Sequence, residues 1–336
     1  MYKLTIKKSY IFFLLIGICS ALILALLFFM LRKPHLIQQN TKQEGVKKVT
    51  KDYASNLYWL DDKELAYTVF DRSIARNVLM KTDGSRVTTL LRDQKIKMSE
   101  LYWSKNNDLL IFDYGTPYTT YLFQNGRDIR QLPITGYGFS WSPDGTRFFY
   151  KSDLNPQSYF YSLTDKTTTP VTIPLPAFNV SFWSPNGTTI ALYNFDLEEG
   201  KGQLNNFNIG QASVSPVDSG TTFISWSPTG ENIAYIKDDK DLVVAKNETK
   251  TVLYTSSSPN TIAYTWLNDN ELLIFDGQNT PRMWQVSLDG SKREISLPIT
   301  LSSQQRAFLA ISLNKQKIAI ATQKNGLWLL PLALFQ

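Results

Sequence analysis

Histidine and cysteine are almost absent from this sequence of 336 residues, which contains one of each, His35 and Cys19. A Ser-His-Asp triad needs a histidine, and the common zinc sites draw their ligands largely from cysteine and histidine. Neither kind of site can be built from the residues beyond His35. With a single cysteine, the chain cannot form an internal disulfide.

Motifs for cofactor binding and for hydrolysis are missing as well. No Gly-x-Ser-x-Gly segment occurs, and Lys201 is not followed by the serine or threonine of a phosphate-binding loop. The acidic run 238–241 is interrupted by Lys240 and lacks the spaced ligands of a calcium loop. We therefore predict no cofactor, no metal and no catalytic residue, although a carboxylate pair acting as in glycosidases remains open.

Excess positive charge is confined to the N-terminal end. The formal net charge is +6, and residues 1–33 contain five basic residues and no acidic one: Lys3, Lys7, Lys8, Arg32 and Lys33. Subtracting these five from the total of 35 leaves 30 basic residues against 29 acidic ones. We therefore expect no basic surface for nucleic acid.

The same end contains a long apolar run. Residues 10–31 are 22 consecutive uncharged residues, and a helix that crosses a bilayer needs about 20. We predict a short flank over residues 1–9, an uncleaved transmembrane signal anchor over residues 10–31, and a polar tether over residues 32–44. Positive charges flank both sides of the run, so they do not fix its orientation. Because a first helix usually exports the long domain that follows it, we expect that domain outside the cytoplasm.

A strand–turn–strand segment recurs through the rest of the chain. It is FSWSPDGTRFFY from Phe139, FWSPNGTTIALY from Phe182 and SWSPTGENIAYI from Ser225. Proline presets φ in such a turn, and the glycine takes the position where φ is positive. We therefore predict positive φ at three glycines, Gly145, Gly187 and Gly230.

Weaker copies complete a series of seven, in which a tryptophan, or an isoleucine in the last copy, marks the register. The marked positions are Trp59, Trp103, Trp141, Trp183, Trp226, Trp266 and Ile311. A spacing of 38 to 45 residues with strand patterning is typical of a β-propeller that has one four-stranded blade per repeat. The sequence thus predicts an all-β, seven-bladed propeller over residues 45–336. In the third repeat, the four strands are expected at Gly138–Trp141, Arg147–Ser152, Ser158–Leu163 and Pro170–Ile173.

The segment Trp-Ser-Pro-(Asp/Asn/Thr)-Gly, followed by an apolar strand, resembles the repeat of TolB-type propellers. The same repeat occurs in the propeller domains of prolyl oligopeptidase-type enzymes. Three copies match closely and four are degenerate, and together they cover residues 53–332. The resemblance implies a protein or peptide partner, as TolB-type propellers serve within envelope assemblies. It says little about the site itself, because one scaffold hosts many functions.

An acidic residue recurs where the second strand of a repeat ends. The six positions are Asp71, Asp113, Asp153, Asp196, Asp238 and Asp276. Aspartate starts turns by binding backbone two residues ahead, which is one interpretation. The other is an acidic ring on one rim that holds a cationic partner or a metal ion. The aromatic residues near these positions, which could contribute to a contact surface, are Tyr114, Tyr118, Tyr137 and Phe195. Our candidate binding residues are the six aspartates and Tyr118.

The last repeat offers only three strands, Phe308–Ser312, Lys317–Thr322 and Gly326–Leu332. An incomplete blade would expose a hydrogen-bonding edge. We predict that residues 45–51 supply the missing outer strand by pairing with Gly326–Leu332.

These features favour a membrane-tethered, extracytoplasmic propeller that acts as a non-enzymatic scaffold for a protein or peptide. Two alternatives remain. One is a cell-surface enzyme that acts on glycan or peptide through carboxylates at the axial mouth, and the other is a ligand-sensing ectodomain. Two close carboxylates in a concave axial pocket would favour the enzyme, whereas a broad apolar or aromatic rim would favour the binding partner.

Overall fold

Strands pair in sequence order throughout the computed structural model, which describes residues 45–115, 118–175, 178–196, 201–303 and 307–335. The compact unit formed by the propeller extends over Gly45–Gln336. The predicted anchor over residues 10–31 and the tether over residues 32–44 lie outside the described residues. Within the described ranges, no helix has the length and apolar character needed to span a membrane.

The described residues form 28 strands and one short 3-10 helix, Leu332–Phe335. In chain order the strands are β1 (Lys47–Thr50), β2 (Ala54–Trp59), β3 (Leu65–Asp71), β4 (Arg76–Thr82), β5 (Val87–Leu91), β6 (Glu100–Trp103), β7 (Leu109–Asp113), β8 (Thr119–Gln124), β9 (Asp128–Gln131), β10 (Gly136–Trp141), β11 (Arg147–Ser152), β12 (Ser158–Ser162), β13 (Thr168–Val171), β14 (Val180–Trp183), β15 (Thr189–Asp196), β16 (Lys201–Asn208), β17 (Ser213–Ser219), β18 (Thr221–Trp226), β19 (Ile233–Lys237), β20 (Asp241–Lys246), β21 (Thr249–Thr255), β22 (Ile262–Asn268), β23 (Glu271–Asp276), β24 (Arg282–Ser287), β25 (Lys292–Ile295), β26 (Ala307–Ile311), β27 (Lys317–Thr322) and β28 (Gly326–Pro331).

These strands make seven four-stranded antiparallel sheets, as the repeat count predicted. Blades 1 to 6 are each built from four consecutive strands, starting with β2, β6, β10, β14, β18 and β22. The first strand of a blade contacts the first strand of its neighbours, as β10 does with β6 and β14. The first strands therefore surround the axis, and we name the strands of each blade A to D from the axis outward.

Blade 7 is completed by the N-terminal part of the propeller. Its strands are ordered β26, β27, β28 and β1, and β1 pairs antiparallel with β28. Lys47 lies opposite Leu329, and Lys48 lies opposite Trp328, with the lysine ammonium 5.2 Å from the centre of the indole ring. The predicted closure over residues 45–51 is thus found at Lys47–Thr50.

The B strands lie between neighbouring blades and are buried on both faces. In β11, Phe148 packs with the blade 2 residues Leu110 and Phe112, whereas Phe149 packs with the blade 4 residues Ile190 and Leu192. A strand that is covered on both sides requires a continuous apolar sequence rather than alternation. This explains why the most apolar part of each repeat is the segment that follows the turn.

Four of the tryptophans that mark the repeats, Trp59, Trp141, Trp226 and Trp266, donate a hydrogen bond to a neighbouring blade. The indole N–H of Trp141 donates to the backbone oxygen of Tyr102 in blade 2, at 2.7 Å. Trp226 donates in the same way to Phe182, and Trp59 joins blade 1 to Ala310 of blade 7. In these positions the indole both fills the space between blades and satisfies its polar group on the neighbouring inner strand. Trp183 instead donates to Gly187 of its own A–B turn.

The turns between strands A and B form a second set of links between blades. φ is 69° at Gly145, 80° at Gly187 and 78° at Gly230, which confirms the predicted conformation. Asn106 donates to the backbone oxygen of Asp144 in the next turn, and Asn186 donates to that of Gly230. These hydrogen bonds join neighbouring blades at the A–B rim.

Candidate functional site

The predicted binding residues lie on the rim opposite the A–B turns. Strands within a blade alternate in direction, so the B–C connections and the connections from D to the next A share this rim. We call it the B–C rim. Four of the six aspartates end the B strands β3, β7, β15 and β23, and Asp153 and Asp238 directly follow β11 and β19. They are thus distributed one to a blade around the rim. The structure does not bring them together in one pocket.

Asp71 makes the turn that its position predicts. Its carboxylate accepts hydrogen bonds from the backbone N–H of Ser73 at 2.8 Å and from the Ser73 hydroxyl at 2.6 Å. Arg92 forms an ion pair with its other oxygen at 2.9 Å. The Ser73 hydroxyl and backbone bonds, together with Arg92, hold the pKa of Asp71 below its ordinary value.

Asp113 and Asp276 are buried and fix the connections between blades. Asp276 accepts hydrogen bonds from the Tyr254 hydroxyl and from the Thr261 hydroxyl, both at 2.8 Å. Burial, followed by its bond to Asp276, raises the pKa of Tyr254. Asp113 accepts from the backbone N–H of Lys97 at 2.9 Å. Both carboxylates thus hold a D–A connection against the end of a B strand.

The other three predicted aspartates have different surroundings. Asp153 is exposed, and Asp238 has a φ of 48° at the start of a tight B–C turn. Asp196 is described only by its backbone, which pairs with Lys201. In the described part of the chain, no group of three or more histidine, cysteine, aspartate or glutamate residues is arranged to hold a metal ion.

An aromatic cluster on the B–C rim of blade 2 contains the predicted residue Tyr118. Tyr114 and Tyr118 are exposed and pack edge-on against buried Phe112, with ring centres 4.8 and 5.6 Å from it. The Tyr114 hydroxyl donates to one oxygen of Glu100, and the Tyr102 hydroxyl donates to the other. We call Phe112, Tyr114, Tyr118 and Glu100 the tyrosine patch.

The tyrosine patch combines exposed rings with a carboxylate whose orientation is fixed. Burial, followed by the bond to Glu100, raises the pKa of Tyr114, so its hydroxyl stays protonated and continues to donate. The sequence indicated Tyr114 and Tyr118 but not Glu100, because Glu100 belongs to the inner strand and no spacing links it to the B–C loop. On neighbouring blade 3, Leu154 is also exposed in the B–C connection.

A cavity of about 750 Å³ opens on the B–C rim where blade 7 meets blade 1. Its lining includes Phe70, Asp71 and Arg72 from blade 1, with Lys51 and Asp52 from the segment after β1. Phe70 is 60% exposed, the highest value for any described aromatic side chain. The cavity contains charges of both signs beside one exposed ring, so it offers a further contact surface on this rim.

A groove between blades 4 and 5 was not predicted from the sequence. Two cavities, of about 760 and 300 Å³, share the lining residues Thr189, Asn206 and Asn247. We call these joined cavities the blade-4/5 groove. Leu204, Asn206 and Asn208 alternate along β16 and so share the face directed at blade 5. No repeat-based signal could have identified the groove, because its polar residues interrupt the apolar pattern in only one blade.

Asp218 lies at the outer end of this groove in a network of donors. It accepts from the Lys237 ammonium at 2.8 Å and from the Tyr235 hydroxyl at 2.7 Å, and Lys250 lies 3.4 Å away. Burial works to raise its pKa, but the bonds from Lys237, Tyr235 and the Ser219 backbone outweigh burial and lower the pKa to about 2. The side chain is only 8% exposed, so solvent screens these bonds little.

The low pKa of Asp218 predicts a pH-dependent stability difference. A carboxylate whose pKa is lowered on folding stabilises the protein above the unfolded-state value near 4 and loses that contribution as the pH falls through its folded-state value. Asp218→Asn is therefore expected to cost on the order of 2 kcal/mol at pH 7. Urea denaturation at several pH values should show that the difference in free energy of unfolding between wild type and Asp218→Asn becomes smaller below pH 4. A difference that stays constant down to pH 2 would contradict this assignment.

Similarity of this chain to known proteins is found among solved structures. No family model matches the sequence, and no curated protein matches it. Among similar solved structures is the crystal structure of TolB from Acinetobacter baumannii, with 17% identity and a TM-score of 0.49. That match covers 69% of this chain and 63% of the TolB chain, which is less than two thirds of its length. The strand order given above makes the described chain a seven-bladed propeller, as the TolB-type resemblance predicted.

Proposed function

We propose that this protein is a membrane-tethered, extracytoplasmic propeller that binds a protein or peptide partner through its B–C rim and catalyses no reaction. The observation that carries the proposal is the tyrosine patch. Tyrosine supplies a large contact area with little conformational entropy to lose, and aromatic residues are enriched where binding energy is concentrated. Here the rings are already held in place by Phe112 and Glu100, so little ordering is needed on binding.

The arrangement of the two rims supports the same proposal. On the A–B rim, Asn106 and Asn186 form bonds from one turn to the next, and Leu313 is exposed. The B–C rim presents a larger set to solvent: Phe70, Tyr114, Tyr118 and Leu154. The rim carboxylates Asp71 and Asp276 are engaged by hydrogen-bond donors from their own blade or from the preceding one. This favours a contact surface over a pair of catalytic carboxylates.

The binding proposal can be tested by photo-crosslinking in intact cells. A photoreactive phenylalanine replacing Tyr118 should crosslink to a discrete partner, whereas the same group replacing Arg127 should not. Arg127 is exposed and belongs to the C–D turn of the same blade, on the opposite rim. The double variant Tyr114→Ala/Tyr118→Ala should lose the partner while keeping its melting temperature within a few degrees. Equal crosslinking from both positions would contradict the proposal.

The proposed membrane attachment is inferred from the uncharged run over residues 10–31, which is the predicted anchor. The full chain should remain in the membrane fraction after carbonate washing, and protease added to intact cells should digest the propeller. A mature N-terminus beyond Arg32 would contradict the anchor. A propeller that is protected until the cells are lysed would contradict the extracytoplasmic location.

A further inference from the structure

The blade-4/5 groove is lined by carboxamides and hydroxyls rather than by the apolar side chains typical of small-molecule pockets. On the blade 4 side, Asn206 lies opposite Ser215 in the β16–β17 ladder, and Thr189 belongs to the adjacent strand β15. On the blade 5 side, Asn247 contributes from the turn between β20 and β21. A carboxamide can donate and accept hydrogen bonds at the same time, as can a hydroxyl.

Asn206, on the blade 4 side of the groove, has a side-chain oxygen for which the described residues supply no hydrogen-bond donor. Its side-chain oxygen is buried and accepts no hydrogen bond from any residue that the structure describes. A buried oxygen that accepts no hydrogen bond destabilises the protein, and most buried oxygens in native structures have a hydrogen-bond donor. Because Asn206 lines both parts of the groove, a half-turn of its carboxamide about χ2 would bring this oxygen to the groove surface, where a ligand hydroxyl could supply the missing donor.

Five charged residues line the groove, and all of them except Glu248 take part in an ion pair between two lining residues. Lys246 contacts Glu231 at 2.9 Å, and Lys250 contacts Asp218 at 3.4 Å. Each lysine is thus neutralised by a carboxylate within the same lining. The groove consequently offers many hydrogen-bonding groups but little unbalanced charge, which favours an uncharged ligand over a strongly ionic one.

One aromatic surface completes the lining. Trp226 lines the smaller part of the groove together with Ile233 and Ala245, while its N–H is occupied by the backbone oxygen of Phe182. The indole can therefore offer apolar contact but no further hydrogen bond. A ligand that suits this lining has hydroxyls around its edge and an apolar C–H face, which is the chemistry of a pyranose ring.

We propose that the blade-4/5 groove binds an uncharged oligosaccharide. The groove extends along blade 4 from Asn208, at the A–B rim, to Ser219, near the B–C rim, so it suits a chain of sugar units better than a single one. A peptide is a poorer match, because the backbone of β16 is already paired on both sides by β15 and β17. The outer strand β17 has an unpaired edge, but Pro216 supplies no N–H donor to it. This site is separate from the tyrosine patch and does not depend on the proposed protein partner.

The test uses the full chain in a detergent that has no sugar headgroup. Maltohexaose, cellohexaose and hexa-N-acetylchitohexaose serve as uncharged probes, with a hexameric oligogalacturonate as the charged comparison, and binding is measured by titration calorimetry. At least one uncharged probe should bind, and the charged one should bind at least tenfold more weakly. No binding of the three uncharged probes, or a preference for the charged one, would overturn the proposal.

Asn206→Leu separates a binding role from a structural one. Replacing an unsatisfied buried amide by an apolar group of similar size should leave the melting temperature unchanged or raise it. The same variant should bind the uncharged probe at least tenfold more weakly. Unchanged affinity in Asn206→Leu would overturn the proposal, whatever its effect on melting.

A matched pair of turn variants gives a second control. Asn247 and Asn125 occupy equivalent turns between strands C and D, with φ of 53° and 54°, but only Asn247 lines the groove. Asn247→Ala should weaken probe binding several-fold, and Asn125→Ala should not. The variant Tyr114→Ala/Tyr118→Ala should bind the probe like the wild type. Loss of binding in Asn125→Ala or in the tyrosine variant, as large as that in Asn247→Ala, would contradict the assignment to the groove.

Discussion

A chain that begins at Tyr53 should melt about 10 °C or more below a chain that begins at Gln38, and should aggregate more readily. The shorter chain lacks β1, so it loses the β1–β28 ladder and the packing of Val46 and Val49 against blades 7 and 1. These contributions sum to on the order of 5 kcal/mol. The freed edge of β28 would be open to pairing with other chains. Thermal unfolding and light scattering would measure both effects, and equal melting of the two chains would contradict the role of β1.

A single substitution tests the same closure without shortening the chain. Gly326 has a φ of 74°, and a Cβ atom there would lie 2.1 Å from the backbone oxygen of Thr50. Gly126 has a φ of 67° with nothing within 4 Å of such an atom. Both alanine variants are destabilised by the left-handed backbone conformation, but only Gly326→Ala also displaces β1. Gly326→Ala should therefore melt several degrees lower than Gly126→Ala, and similar melting of the two would count against a tightly seated β1.

Trp141→Ala is expected to lower the free energy of unfolding by about 3–5 kcal/mol, as buried aromatic truncations do. The side chain is 9% exposed, packs against Phe148 with ring centres 5.4 Å apart, and donates to Tyr102 of blade 2. The variant opens a cavity between blades 2 and 3 and leaves the Tyr102 oxygen without its donor. Urea denaturation monitored by circular dichroism would give the free energy.

Trp103 provides a matched control for the hydrogen bond. Its ring stacks on Tyr58 at 4.9 Å, but its N–H finds no acceptor among the described residues. Trp141→Phe should therefore lower the free energy of unfolding more than Trp103→Phe does. The expected difference is about 1 kcal/mol, the contribution of one hydrogen bond. Equal losses in the two variants would show that the indole N–H of Trp141 contributes little to joining the blades.

The blade count and the closure could be predicted because each depends on a pattern that recurs along the chain. Every blade needs an inner strand, a tight turn and a doubly buried strand, so Trp141, Gly145 and their equivalents recur at blade spacing. Strand ends were predicted less well. The inner strand of blade 3 begins at Gly136, two residues before the predicted start, and its outer strand is Thr168–Val171 rather than Pro170–Ile173.

The source of the first difference is an irregularity that sequence patterns do not reveal. The β10–β11 pairing shifts between Tyr137 and Ser140, with positive φ at Gly138, and similar shifts occur at Asn56 and Phe223. A bulge adds one residue and changes which side chains face the same way. Among the described residues, the bulge occurs at this position in blades 1, 3 and 5 alone, so the repeat could not indicate it.

The candidate site was predicted only in its local features. Asp71 makes the turn expected from its position, and Tyr118 lies on the rim where the B–C loops meet solvent. The partners that give these surfaces their chemistry come from other parts of the chain. Glu100 reaches the tyrosines from an inner strand, and Asn206 and Asn247 line the same groove from two different blades. Contacts of this kind depend on how blades stack, which no single repeat encodes.

The pairing of β1 with β28 also determines when the molecule becomes complete during its synthesis. β1 leaves the ribosome before any other strand of the propeller, and β28 is among the last, so the earliest strand must wait for the latest. Joining strands so distant in sequence is slow, although the entropic cost grows only with the logarithm of the separation. Until then, blade 7 has no outer strand and blade 1 has no neighbour on one side. Resistance to proteolysis should therefore appear only when the last residues have emerged, and not blade by blade.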